Sequence, residues 1–216
     1  WYDVGTIDNY IKAKNLFKDS KVYSIPKVNG EFLYKVGKRF IKLSSDTKFI
    51  ENRINRASYL SNLVPPLNFT GKNLYSYDWV YGDVFYDYEN LEVWKRFLDF
   101  ANKNLWEETH VNDDFFELCK RFYLDKTMNR LKLFLGSRDD SFKGEHVVNG
   151  TKTNTIDKLL EDFDWDKIYN GIPTKSFHGD LQFDHVVYDG SENFYLLDWR
   201  QDFAGSNVGD VYYDLA

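Results

Sequence analysis

The sequence of 216 residues has little cysteine and no long apolar run, and each shortage excludes a class of protein. Cys119 is the single cysteine, so an intrachain disulfide is impossible and a reducing compartment is indicated. No apolar stretch approaches the ~20 residues that a membrane-spanning helix needs, and no segment has the character of a signal peptide. We therefore expect a cytoplasmic protein without a membrane partner.

Clusters of basic residues are also missing. The net charge is −6 at pH 7, and no long run of Lys and Arg occurs. Affinity for nucleic acid or for an anionic membrane depends on such clusters, so neither is an expected partner. The acidic balance is compatible with a cationic substrate. The hydrophobic fraction of 43% and the aromatic fraction of 19% are typical of a packed globular protein.

The most informative stretch is residues 176–199, SFHGDLQFDHVVYDGSENFYLLDW. It contains two apolar runs with strand character, Phe183–Tyr188 and Phe194–Leu197, on either side of Asp189-Gly190. Asp-Gly between such runs is a strong β-hairpin signal. The stretch therefore predicts a hairpin.

The predicted hairpin brings two carboxylates together. Asp180 precedes its first strand, and Asp198 ends its second. Phosphoryl transfer needs a carboxylate that accepts the proton of the attacking hydroxyl, and oxygen ligands that hold magnesium on the ATP phosphates. Asp180 suits the first role and Asp198 suits the second.

The residues His178-Gly179-Asp180-Leu181 resemble the catalytic loop of the aminoglycoside phosphotransferase and choline kinase-like family, relatives of protein kinases. Asp198-Trp199 is similar to the second motif of that family, and residues 209–216, GDVYYDLA, are similar to the helix start that follows it. The resemblance implies that Asp180 is the catalytic base, that His178 supports its loop and that Asp198 binds Mg²⁺ on ATP. It also implies that Asp210 supports the backbone of the catalytic loop.

One position departs from the family pattern. His185 stands where the family has an asparagine whose side-chain oxygen helps to hold magnesium. A neutral imidazole can ligate a metal, but it prefers borderline or softer ions to magnesium. His185 is therefore a candidate second metal ligand, and the number of metal ions is left open.

Residues 21–44 predict a small antiparallel sheet, because three strand-like runs are separated by the turn signals Asn29-Gly30 and Gly37-Lys38. The resemblance makes Lys42 the lysine that contacts the nucleotide phosphates. An ordinary solvated strand lysine is the alternative. A helix is predicted from about Thr47 to Leu63, and Glu51 is its candidate partner for Lys42 unless the helix turns Glu51 to solvent.

The run from Asn73 to Val80 resembles the inter-lobe linker of the family. The resemblance implies that backbone groups around Asp78, Trp79 and Val80 contact the adenine of ATP, and that Gly82 relieves the backbone at the lobe boundary. An edge strand followed by a turn is the alternative. No P-loop motif occurs in the sequence, which argues against that other class of kinase.

The middle of the chain is predicted to be mainly helical. Apolar residues recur at helical spacing from Asp87 to about Phe134, whereas residues 136–154 have the composition of a loop. His110 lies among four acidic residues, an arrangement compatible with a metal site but more typical of an exposed acidic loop at these spacings.

The first residues carry a second resemblance. Residues 1–18, WYDVGTIDNYIKAKNLFK, have helical periodicity after Thr6 and resemble the closing segment of sugar-nucleotide nucleotidyltransferases. They are interpreted either as the tail of a fused upstream nucleotidyltransferase domain or as a helix that packs on the first lobe.

Together these features predict an α+β protein with a two-lobed, protein-kinase-like fold. A small antiparallel-sheet N-lobe, residues 19–81, would precede a mainly helical C-lobe, residues 82–216, that carries the catalytic hairpin. We expect this C-lobe to be truncated at its C-terminal end, because members of the resembled family continue with further helices after the position of Ala216. The predicted function is ATP- and Mg²⁺-dependent transfer of the γ-phosphoryl group to a hydroxyl of a small molecule. The expected acceptor is a sugar or amino alcohol used in the synthesis of cell-surface polysaccharide or lipid. An aminoglycoside phosphotransferase and a catalytically weak nucleotide-binding module are the alternatives.

Overall fold

The structure is a computed structural model, and it describes residues 22–25, 27, 30–111, 114–138 and 144–216. The helix and the nucleotidyltransferase tail that residues 1–18 predict lie outside this part. The first half of the described chain contains β1 (Val22–Ile25), β2 (Glu31–Val36), β3 (Arg39–Ser44), α1 (Thr47–Tyr59), β4 (Leu67–Thr70), β5 (Leu74–Asp78) and β6 (Asp83–Val84). The second half contains α2 (Leu91–Asn104), α3 (Phe115–Lys120), α4 (Lys126–Gly136), β7 (His146–Val148), β8 (Thr151–Thr153), α5 (Ile156–Glu161), α6 (Trp165–Tyr169), β9 (Pro173–Thr174), β10 (Val186–Tyr188), β11 (Phe194–Leu196), β12 (Gly209–Asp210) and α7 (Val211–Leu215).

Five of these strands form one antiparallel sheet in the order β1-β2-β3-β5-β4. The central strand β3 places Lys42 opposite Leu33 on β2 and opposite Tyr75 on β5. Side chains alternate between the two faces of a strand, so Lys42 shares a face with Phe40 rather than with Ile41. The register therefore directs one lysine into the interior.

Helix α1 packs beside this sheet. The carboxylate of Asp46 caps it by accepting a hydrogen bond from the backbone N–H of Phe49. The helix ends at Tyr59 with Leu60 as its C-cap, ahead of Pro65, which cannot continue a helix. Its buried side is unusual in composition, because Ile50 shares it with Arg53 and Arg56.

The predicted hairpin is present, but it is shorter than expected. Strands β10 and β11 pair antiparallel, and β10 also pairs with β6. The predicted first strand is wrong for Phe183–His185, which form one turn of 3-10 helix closed by a bond from the N–H of His185 to the carbonyl of Gln182. The turn lets the chain reverse direction between Asp180 and β10.

The middle of the chain contains two differences from the expected pattern. The loop predicted over residues 136–154 includes the hairpin β7–β8, whose turn is Asn149-Gly150 with positive φ at both residues. Asn-Gly is a strong signal for such a turn, but the polar residues around it led to the prediction of a loop. Helices α3 and α4 are joined by one π-helical turn, Arg121–Asp125, within the predicted helical region.

Aromatic side chains fill the core. The larger cluster joins residues of the five-stranded sheet, such as Tyr75, to Phe85, Phe97 and Trp199 from later in the chain. The ring of Tyr75 stacks on Trp199, with ring centroids 5.6 Å apart. This packing fixes the sheet against the hairpin that carries the predicted catalytic residues.

The α+β class, with a small antiparallel sheet followed by a mainly helical part and a hairpin, is confirmed. Among the described residues, no helix combines the length and apolar character needed to cross a membrane. The division of the chain at residues 18 and 81 stays a prediction.

Gly82 is predicted to be intolerant of any side chain. Its φ is +145°, and an added Cβ would lie 2.8 Å from Val187 Cγ1 and 2.9 Å from the backbone carbonyl carbon of Tyr188. We expect Gly82→Ala to cost at least about 3 kcal/mol of unfolding free energy in urea denaturation, because β6 must move away from β10.

Gly37→Ala is the matched control. Gly37 also has a positive φ, +60°, but nothing lies within 4 Å of an added Cβ. Only the backbone conformation is strained there, so we expect a cost of roughly 1 kcal/mol. Equal losses in the two variants would contradict the packing argument at Gly82.

Candidate active site

The site is built around Lys42, which is buried with 1% of its surface exposed. Its Nζ lies 2.5 Å from Asp198 Oδ1 and 3.1 Å from Glu31 Oε2. A buried ammonium is costly unless it is paired, and here it has two carboxylate partners. The expected solvent-exposed alternative for Lys42 is therefore wrong.

Asp198 is surrounded by positive charge. Besides Lys42, its carboxylate accepts hydrogen bonds from Arg53 Nη1 and, at 3.0 Å, from Lys27 Nζ. Burial alone would raise the pKa of Asp198, but the charges of Arg53 and Lys42 outweigh burial and hold the pKa well below its usual range. Asp198 also has a φ of +53°, a strained conformation that is frequent at functional sites.

The predicted ion pair between Lys42 and Glu51 is wrong. Glu51 lies on the outer side of α1, where it pairs with Lys48 at 2.9 Å and keeps 59% of its side chain exposed. The helix buries Ile50 and Arg53, and the 3.6-residue period then turns the intervening Glu51 to solvent. Glu31 from the neighbouring strand takes the expected place of Glu51 beside Lys42.

A cavity of 310 Å³ opens beside this charge cluster. Lys27, Lys42 and Asp198 line one part of it. The rest of the wall is mainly apolar and aromatic, formed by Ile25, Leu33, Phe40, Tyr75, Tyr77, Trp79, Val80, Val84, Val187 and Leu197. The cavity is thus apolar on one side and charged on the other, as sites for amphipathic ligands are.

The predicted adenine-binding segment lies partly on this cavity. Trp79 and Val80 line it, together with Gly82. Asp78 is not among the lining residues, and its carboxylate accepts a hydrogen bond from Asn68 Nδ2 at 2.7 Å. The backbone N–H of Trp79 donates to Lys38 O.

His178 holds the loop that carries Asp180. It is completely buried, its Nε2–H donates to Leu197 O at 2.9 Å, and its Nδ1 accepts a hydrogen bond from the backbone N–H of Asp180 at 3.3 Å. Burial, with the nearby His185, lowers the pKa of His178 to about 3. A neutral, buried ring with both nitrogens engaged supports the loop and has no access to a substrate.

Asp214 is the second support of this loop, and the sequence analysis missed it. Its carboxylate accepts hydrogen bonds from the backbone N–H groups of His178, at 2.7 Å, and Gly179, at 2.6 Å. The role was expected for Asp210, which instead caps α7 at Tyr212 N and accepts from the hydroxyl of Tyr123. That expectation is wrong.

The missed signal lies in the sequence of α7 itself. Asp214 stands four residues after Asp210 in a short apolar segment, VYYDL, so both carboxylates fall on one side of the helix. A carboxylate amid apolar residues requires a buried partner, and the partner is the catalytic loop.

Arg56 was also missed. It is completely buried on α1, where Nη1 donates to Asn207 O at 2.5 Å and Nη2 donates to Phe177 O at 2.6 Å. Its guanidinium carbon lies 4.3 Å from the centre of the Phe177 ring. Arg56 therefore fixes α1 to the residue just before the catalytic loop.

The ring of His185 lies between the backbone of Asp180 and the carboxylate of Asp198. His185 Nδ1 lies 2.8 Å from the backbone oxygen of Asp180, and Nε2 lies 4.0 Å from Asp198 Oδ2. The side chain of Asp180 keeps 41% of its surface exposed. The structure thus brings together three of the residues predicted for catalysis and metal binding.

These residues fit a divalent cation held jointly with a ligand. Within the described ranges, no group of three or more His, Cys, Asp and Glu side chains could hold a metal ion by itself. Magnesium in phosphotransferase sites is held by one or two carboxylates together with substrate phosphates. Asp198 would supply the carboxylate of such a site and His185 would add an imidazole nitrogen, while phosphate oxygens of a ligand and water would complete the coordination.

A second cavity, of 790 Å³, lies on the other side of Asp180. Asp180, Asp184 and Tyr86 line it, and Asp184 also lines the smaller cavity. Tyr213, another lining residue, has its hydroxyl 3.4 Å from Lys126 Nζ. Burial and nearby arginines lower the pKa of Lys126 to about 8.

Comparison with solved structures identifies the fold. The chain superposes on the ADP-bound aminoglycoside phosphotransferase APH(2'')-Ib with a TM-score of 0.51 and 14% identity, covering 96% of this chain and 73% of that chain. The chain has the aminoglycoside phosphotransferase fold. A gentamicin complex of APH(2'')-IIa (TM-score 0.49, 15% identity, coverage 97% and 73%) and a choline kinase from Cryptosporidium parvum Iowa II (TM-score 0.45, 14% identity, coverage 93% and 66%) are also similar.

Sequence comparison finds no relative of this chain, in contrast to structure comparison. No family model matches the sequence, and no curated protein matches it significantly. At 14% identity the likeness to the phosphotransferase fold concerns the path of the backbone. The roles of individual side chains must therefore be argued from their own geometry.

Asp214 predicts a specific dependence of stability on pH. Burial raises the pKa of Asp214 to about 6 from 3.8, so between these values the folded protein binds a proton that the unfolded chain does not. This contribution is complete below pH 3.8 and is lost as the pH rises through 6. From pH 7 to pH 4.5 we expect wild type to gain about 2 kcal/mol relative to Asp214→Asn in urea denaturation.

Asp157→Asn is the control for this measurement, because Asp157 is exposed on α5. It should show the pH dependence of the wild type. A constant difference between wild type and Asp214→Asn across this pH range would contradict the raised pKa.

Proposed function

We propose that the protein is an ATP-dependent phosphotransferase that moves the γ-phosphoryl group to a hydroxyl of a small molecule. One observation carries the proposal. Asp198 lines the smaller cavity and Asp180 lines the larger, and the two cavities meet at Asp184. A nucleotide and an acceptor bound in these cavities would face each other across the two carboxylates.

The smaller cavity has the chemistry of a nucleotide site. Its aromatic and aliphatic wall, which includes Trp79 and Val80, suits a purine base. Lys27 and Lys42 lie on its charged side, and Arg53 contacts Asp198 from behind the cavity wall, so that three cations surround this carboxylate. Such a cluster attracts a polyphosphate even in a protein of net charge −6.

Each side chain of the site has a separate role in the proposed reaction. Asp180, exposed toward the larger cavity, orients the acceptor hydroxyl and takes its proton, while Lys42 binds the phosphates. His178 and Asp214 keep the Asp180 backbone in place. ATP with its divalent cation would supply the transferable phosphoryl group and neutralise its charge.

The larger cavity favours an acceptor that carries hydroxyl and amine groups. Three aspartates, Asp180, Asp184 and Asp214, line it together with the exposed ring of Tyr86, and no Lys, Arg or His is among its lining residues in the described part of the chain. Carboxylates and aromatic faces bind ammonium groups. An amino alcohol or a sugar is the proposed acceptor. Its proposed use in cell-surface polysaccharide or lipid synthesis is supported only by the resemblance of residues 1–18 to the end of a nucleotidyltransferase.

An aminoglycoside acceptor would use the same chemistry, because it too combines hydroxyl with amine groups. One solved structure that shares the fold is an aminoglycoside phosphotransferase, so this acceptor belongs in the same test. A nucleotide-binding module without transfer is a second candidate function. It is favoured by the ion pairs that occupy both carboxylate oxygens of Asp198.

The decisive experiment measures ADP formation with Mg²⁺ and ATP against pooled sugars, polyols, amino alcohols and aminoglycosides. We expect acceptor-dependent ADP from the wild type and a fall in kcat of at least about 100-fold in Asp180→Asn, because the variant lacks the proton acceptor. ATP binding, followed by thermal shift, should be retained because Asp180 lies outside the nucleotide cavity.

Asp99→Asn is the matched control, since Asp99 is exposed on α2 and should leave both readouts unchanged. ATP-dependent stabilisation with no ADP above background in any pool would favour the binding module. Full activity in Asp180→Asn would overturn the assignment of the base.

A further inference from the structure

His185 presents a nitrogen lone pair to Asp198. Its Nδ1 lies 2.8 Å from the backbone oxygen of Asp180. A carbonyl oxygen can only accept a hydrogen bond, so Nδ1 carries the proton of the neutral ring and Nε2 carries the lone pair. A backbone carbonyl that fixes the second nitrogen in this way is a common support of histidine metal ligands.

The distance to Asp198 is slightly longer than that between two adjacent ligands of one cation. Nε2 lies 4.0 Å from Asp198 Oδ2, too far for a hydrogen bond. Bonds of about 2.0–2.2 Å from a divalent metal to imidazole nitrogen and carboxylate oxygen place adjacent donor atoms roughly 3.0–3.5 Å apart, so a shift of less than about 1 Å would let both groups hold one ion. Both groups line the cavity proposed for the nucleotide.

The backbone gives this arrangement little freedom. The N–H of Leu197 donates to His185 O at 2.7 Å, which joins the residue before Asp198 to the residue before β10. The ring itself keeps only 15% of its side-chain surface exposed. The nitrogen donor is therefore built into the hairpin and does not swing freely in solvent.

We propose that this site prefers a divalent transition-metal ion, such as Mn²⁺ or Co²⁺, to Mg²⁺. Magnesium binds oxygen ligands almost entirely, whereas first-row transition-metal ions also accept an imidazole nitrogen, Mn²⁺ less strongly than Co²⁺. One carboxylate oxygen and one imidazole nitrogen form a mixed ligand pair that discriminates against Mg²⁺. The inference rests on the proposed function, because nucleotide phosphates would complete the coordination.

Lys27 is the competitor for this position. Its ammonium lies 3.0 Å from Asp198 Oδ2, the oxygen that faces His185, and its side chain is about one-third exposed. A bound cation must displace it, whereas Lys42 and Arg53 contact the other carboxylate oxygen. Lys27→Met should therefore strengthen metal binding without changing which metal is preferred.

The test measures Mn²⁺ and Mg²⁺ affinities directly. Free Mn²⁺ is counted by electron paramagnetic resonance in titrations of the protein with ADP present and absent, and Mg²⁺ is measured by competition. His185→Asn replaces the nitrogen ligand by an amide oxygen, so we expect the ratio of Mn²⁺ to Mg²⁺ affinity to fall by roughly tenfold relative to wild type. His110→Asn, at an exposed loop residue, should keep the wild-type ratio.

A spectroscopic readout makes the test independent of how well the variant folds. In wild type, electron spin-echo modulation of bound Mn²⁺ should show coupling to a histidine nitrogen, confirmed by ¹⁵N labelling of histidine. The inference is overturned if no nitrogen coupling is found, or if His185→Asn folds and keeps the wild-type affinity ratio.

The failure of this inference and the failure of the proposed function are distinguishable. ADP binding with Mg²⁺, followed by thermal shift, tests the nucleotide site alone. If ADP binds and the metal ratio does not depend on His185, the metal preference is wrong and the nucleotide site stands. If ADP does not bind but Mn²⁺ still shows histidine coupling, the proposed function is wrong and the metal preference stands.

Discussion

The contact of Asp198 with Lys42 and Arg53 is the constraint on which the rest of the site depends. Lys42 comes from the central strand of the sheet, Arg53 from α1, and Asp198 from the end of the hairpin. Each is buried or nearly so, and each would be costly to bury alone. Their mutual neutralisation therefore holds three separate parts of the chain in one place, and the cavity proposed for the nucleotide opens beside it.

Local patterns were enough to predict a large part of this arrangement. The hairpin signal at Asp189-Gly190 predicted that two carboxylates lie close together, because turn chemistry acts over a few residues. The fold class and the role of Lys42 were predicted from the family resemblance, and strand alternation predicted only how Lys42 is oriented. Its place on a strand between turn signals fixes the face on which it lies.

Local patterns could not predict which side chains pair when the residues are distant in the sequence. Glu51 was preferred for its charge, but the rotation of α1 buries Arg53 instead, and only the packed sheet decides which side of the helix faces inward. Asp214 and Asp210 are both acidic and four residues apart, and the family resemblance was matched to Asp210, although the apolar neighbours of Asp214 in α7 indicated that its carboxylate is buried. In each case the free-energy cost of burying an unpaired charge decides which residue takes the interior position.

Arg56 carries a consequence for motion. It ties α1 to the carbonyls of Phe177 and Asn207, and Trp199 Nε1 donates to the carbonyl of Arg53 on the same helix. Helix α1 is therefore bonded to the chain on both sides of the hairpin, and a displacement of either one would require a displacement of the other. Arg53 would then keep its place beside Asp198 during any such movement, because it lies on this same helix.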